Sequence, residues 1–111
     1  MAQSTSIVDF NVKLLATIDD TMSALLGASA LNTLHEHLTK EYNLAPDKLP
    51  HRIDTFVEVL DSVFGVAGSK TIGMAIASNF YSEIGLRFVA SENFRLQDYL
   101  EHAKKTFAIH D

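Results

Sequence analysis

Residues 64–73 read FGVAGSKTIG, the stretch of the chain closest to a phosphate-binding loop. Such a loop, G-x-x-x-x-G-K-[ST], wraps phosphates with backbone N–H groups freed by a glycine directly before the lysine. Here Ser69 stands in that glycine's place, and Gly65 lies five residues before Lys70 where the pattern demands six. The preceding DTFVEVLDSVF has helical periodicity, whereas a phosphate loop follows a buried strand. The stretch therefore predicts a helix–turn–helix joint: Gly65 closes one helix, and Gly68-Ser69 shapes the turn and caps the next.

The other reactive side chains do not assemble into a centre either. His35 and His37 are two apart on a helical pattern and point to nearly opposite sides. Asp98 and His102 have the i,i+4 spacing that zinc uses on one helix, but a third ligand is not identifiable. GVAGS lacks the flanking pattern of a nucleophile turn. Asp19-Asp20 and the Asp54/Glu58/Asp61 face read as solvated helix surface, the latter secondarily as a docking face for a basic partner. The expectation is no catalytic, cofactor or metal residue, and a protein that is not an enzyme.

Composition narrows the partners. The 111 residues carry a formal charge of -5, with nine Lys and Arg scattered and only Lys104-Lys105 adjacent. Nucleic-acid binding needs a concentrated basic face, so it is not expected. There is no cysteine, which excludes disulfides and thiolate chemistry. MAQSTSIVDFNVKLL makes a poor signal peptide, and the uncharged run Thr71 to Ser82 is far short of the ~20 residues of a membrane span. A cytoplasmic protein without a membrane partner is expected.

The elements that would carry these residues are helical throughout. A first helix, about 8–26, shows the stripe Leu15, Ile18, Met22, Leu25 and Leu26 and ends at Gly27. Ser29 is placed to cap a second, with Leu31, Leu34, Leu38 and Tyr42 inward, Glu36–Lys40 paired outside and Asn43 as its left-handed stop. Pro46 and Pro50 predict an extended connection. A third helix from about His51 carries Ile53, Phe56, Val57, Leu60, Val63 and Phe64. A central helix, about 69–84, places Ile72, Ile76, Phe80 and Ile84 beside the small Gly73 and Ala77, and Gly85 stops it. LRFVA reads as a short extended piece with Leu86 and Phe88 inward, and a last helix from about Phe94 carries Leu96, Tyr99, Leu100, Ala103 and Phe107, with Glu101–Lys105 paired outside. The fold class is all-α: one domain, 1–111, a compact bundle of about five helices.

The segments HLTKEYNL, LP before RIDTFVEVLDSVFG, FYSEIGLRF and LQDYLEHAK, in this order over about residues 31–105, resemble a family of small archaeal helical domains of unknown function, the Nitrososphaera output domain type. The chain departs from that pattern with Asn43 where the family usually has glycine, and with Val66-Ala67-Gly68 where Gly-Ala is usual. The resemblance implies an all-helical module, often alone or attached to archaeal signalling proteins, and supplies no catalytic residues. The function expected is a non-enzymatic regulatory module acting through a protein partner or a homodimer. Tyr81 and Phe88 are candidates for an exposed aromatic interface. The alternatives are a binder of an apolar small molecule, with a cavity among Phe56, Phe80 and Phe88, and a metal-dependent enzyme.

Overall fold

The computed structural model describes residues 7–110. They form α1 (Ile7–Leu26), α2 (Ala28–Tyr42), a 3₁₀ turn (Pro46–His51), α3 (Ile53–Glu83) and α4 (Leu96–His110), with no strand among the described residues. Only Gly65 leaves helical geometry inside α3, at φ 78°, ψ 162°, and it bends that element into two arms, 53–64 and 66–83. Counting the arms, five α-helical segments make up the bundle, in the expected order. By length and composition α3 is apolar enough to cross a membrane, but the bend at Gly65 interrupts it and its buried face packs on α1 and α4.

The second arm of α3 is the core of the bundle. Ile72, Ile76, Ala77 and Phe80 are buried on it, and the Phe80 ring meets Phe10 of α1 edge-on at 4.9 Å. Gly73 lies against α4: a Cβ added there would sit 3.4 Å from the Leu96 Cβ. That is an ordinary contact distance, so α4 leaves room for a methyl group and for nothing larger, while glycine in a helix interior costs about 1 kcal/mol against alanine. Gly73→Leu, which drives a branched side chain into α4, should destabilise by about 1–3 kcal/mol. Gly73→Ala should be neutral or stabilising; urea melts of both variants check the contrast.

Three expected local features differ. On α1 the buried face is Phe10, Leu14, Thr17, Ile18, Thr21 and Met22, while Leu25 is exposed and Leu15 half-buried. The two threonines displace the stripe. Thr17 satisfies its hydroxyl on the Lys13 carbonyl at 2.8 Å, and Thr21 accepts from the Asn79 amide at 2.9 Å, so both are buried without loss. The Pro46–Pro50 connection is a 3₁₀ turn rather than extended, with Pro46 at its start where a missing N–H costs nothing. Ser29 does not cap α2: Gly27, at φ 91°, ψ 157°, precedes it and no side chain caps it.

The chain stops are as the residue types dictate. Asn43 is left-handed at φ 52°, ψ 41°. Gly85, at φ 76°, closes α3 with Leu86 N–H on the Tyr81 carbonyl and its own N–H on Ser82, a Schellman pair. Beyond it Leu86 and Phe88 pack on the core while Arg87 and Val89 face out, the alternation of an extended piece without strand pairing.

Candidate functional site

At the joint around Gly65 the residues that resemble a phosphate-binding loop take up structural roles. The residues after it, including Gly68, Ser69, Lys70 and Thr71, are already helical. No loop of convergent N–H groups forms, and the turn is Gly65 alone, not Gly68-Ser69. Ser69 is buried and serves instead in a polar clasp. The Arg95 guanidinium donates to the Asp61 carboxylate at 2.6 Å and to the Ser69 hydroxyl at 3.1 Å. Three elements are thus joined: the first arm of α3, the second arm, and the start of α4. Asp61 is therefore not part of a free acidic face, although Asp54 and Glu58 are exposed.

The Ser69 hydroxyl and the Arg95 guanidinium hold the Asp61 carboxyl below its ordinary value of 3.8, with the charges of Arg95 and Lys70 adding to them. A carboxyl depressed by folding stabilises at pH above its unfolded value, and that contribution fades as acid titrates it through the lowered folded one. Wild type should therefore lose more stability than Asp61→Asn as pH falls from 5 through the region of 3.8 and below. Melting temperature against pH for the two proteins checks it; parallel curves would contradict the clasp.

Asp98 and His102 are likewise employed in the fold. Asp98 accepts from the Arg95 backbone N–H at 2.8 Å, the reach-back half of a capping box at the start of α4. His102 stacks on the Tyr81 ring at 6.5 Å. His35 binds Asp19 at 3.2 Å, tying α2 to α1, and His37 sits edge-on to Tyr42. Among the described residues no group of three or more His, Asp or Glu is placed to hold a metal ion.

The aromatic residues considered for an interface lie in the interior. Tyr81 is buried, its phenol donates to the Tyr99 carbonyl at 2.7 Å, and burial pushes its ionisation above the ordinary value. Phe88 is half-buried and packs on Tyr81 and Tyr99 at 5.5 and 5.1 Å. Tyr99 in turn holds the Ser91 backbone through its hydroxyl. Phe56 and Phe80 are fully buried on different arms of α3, so these rings fill the core.

Among the surface grooves of the described residues, one of about 480 Å³ between α2 and the first arm of α3 is apolar. Leu26, Ala30, Leu34, Val63 and Phe64 line it, with Thr33 and His37 at the edge. No Asp, Glu, Lys or Arg contributes to the lining, in a chain of net charge -5. Val63 is 51% exposed, and Val66, just past the bend, 54%. Two of the three positive-φ glycines border the groove: Leu26 precedes Gly27, and Val63-Phe64 precede Gly65. No family model, curated protein or solved structure matches this chain.

The groove was not legible in the sequence. Val63 and Phe64 complete the apolar stripe of their helix and read as core. Gly65 ends that packing, so the last turn before the bend remains half open.

Proposed function

We propose that this protein is a non-enzymatic interaction module whose groove takes the apolar face of an amphipathic helix from a partner protein. The uncharged groove carries the reading. Its lining of Leu26, Ala30, Leu34, Val63 and Phe64 is aliphatic and aromatic, the kind of surface on which an amphipathic helix lays its apolar face. An exposed apolar groove with a polar surround is the usual mark of such a site. The net charge of -5 favours a partner with basic flanks over surface pairing with a second copy, which bears the same sign. The proposal extends to a cytoplasmic regulatory role, which rests on the resemblance of residues 31–105 to the Nitrososphaera output domain type.

The test compares proteins retained from native extract by wild type, Val63→Asp and the control Val89→Asp. A carboxylate in the groove should weaken partner binding by at least tenfold, because an unpaired charge is costly to desolvate, while Val89→Asp binds as wild type. Retention that survives Val63→Asp would contradict the groove, and a groove-dependent assembly of this chain with itself would replace the partner by a second copy.

A further inference from the structure

We infer that Gly65 is a hinge through which two copies of this chain exchange the second arm of α3 together with α4. The residues on both sides of Gly65 are helical, so changing one residue's φ and ψ joins the arms into a single 31-residue helix. Nothing lies within 4 Å of where a Cβ on Gly65 would stand, so the bend is not wedged by neighbours. Only glycine holds φ 78°, ψ 162° readily, and every other residue type prefers the straight form at that position.

Straightening in one chain alone pulls the buried Phe80 ring off Phe10 of α1 and exposes both. A second straightened copy supplies the same surfaces in trans, and each buried contact re-forms between chains. The Asp61–Arg95–Ser69 clasp divides across the hinge, with Asp61 before it and Ser69 and Arg95 after it, and it too re-forms in trans. The exchange also brings Val63 and Val66, both exposed in the bent form, to i,i+3 positions on one helix face at the crossover. Two chains of charge -5 repel, so exchange strengthens with salt.

This inference goes beyond the docking reading. The groove lies wholly before Gly65, so loss of partner binding and loss of exchange are separate outcomes. The first measurement is the mass of Gly65→Ala and of wild type by light scattering over a range of concentration and salt. The expected result is a species of twice the chain's mass in both proteins, growing with concentration and salt, and more abundant in Gly65→Ala than in wild type under every condition.

The second uses the clasp. Asp61→Arg and Arg95→Asp each place like charges together in a bent chain. Unfolded together and refolded as a mixture, they restore both ion pairs only in an exchanged heterodimer. A melting temperature of the mixture above that of either variant, with a dimeric mass, supports exchange even if Gly65→Ala fails to fold. A Gly65→Ala protein that folds and remains single at every concentration overturns the hinge. A dimer without recovery in the mixture is a surface dimer and overturns it equally.

Discussion

Phe80→Ala should lower the stability of the domain by about 3–5 kcal/mol, the range for truncating a fully buried phenylalanine. The ring is 0% exposed and sits where the second arm of α3 crosses α1, edge-on to Phe10. Removing it loses the transfer free energy of the ring and leaves a cavity at the junction. Phe10, Met22 and Ile76 are themselves buried and cannot all shift to fill the space. A domain of this size has a total stability of roughly 5–15 kcal/mol, so the variant should be close to unfolding at growth temperature. Urea denaturation followed by circular dichroism reads the loss directly; a cost near that of an exposed valine would show that this helix is not the core.

Gly65→Val should destabilise the bent form by roughly 1–3 kcal/mol, the cost of holding a side chain in a backbone region reserved to glycine. The added atoms meet nothing, since the space around the position is open, so the penalty is backbone alone. That separates it from Gly73, where the backbone is helical and the neighbour α4 sets the cost. The measurement is a urea melt repeated at several protein concentrations, in which the concentration-independent loss belongs to the bent form. Lys70→Ala, by contrast, changes an exposed side chain at the edge of the clasp and should stay within about 0.5 kcal/mol.

Much of this architecture is legible in residue types. Gly27, Asn43, Gly65 and Gly85 mark the ends of α1, α2 and both arms of α3, because each adopts a positive φ that other residues avoid. The stripes on α2 and on both arms of α3 place Leu31, Leu34, Leu38, Phe56, Leu60, Ile72, Ile76 and Phe80 inside, as found. The pattern fails where polar residues are buried with their partners, as with Thr17 and Thr21 on α1. It also fails where partners are distant in sequence. Nothing in the neighbourhood of Arg95 announces Asp61, thirty-four positions earlier, and a carboxylate on a helix face reads as solvated until the fold brings a guanidinium to it. Tyr81 and Phe88 are the converse: enrichment of aromatics at interfaces makes them candidates for exposure, but Tyr81 is buried and Phe88 half-buried against it, in keeping with the inward alternation of LRFVA.

The groove between α2 and the first arm of α3 carries the proposed docking of a partner helix. Its most direct test is hydrogen exchange across the chain with and without the partner retained by wild type. Protection that rises at Ala30, Leu34, Val63 and Phe64, and is absent in Val63→Asp, is the predicted result. Protection confined to the exposed faces of α1 and α4, or no protein retained by wild type beyond those retained by Val63→Asp, would contradict it.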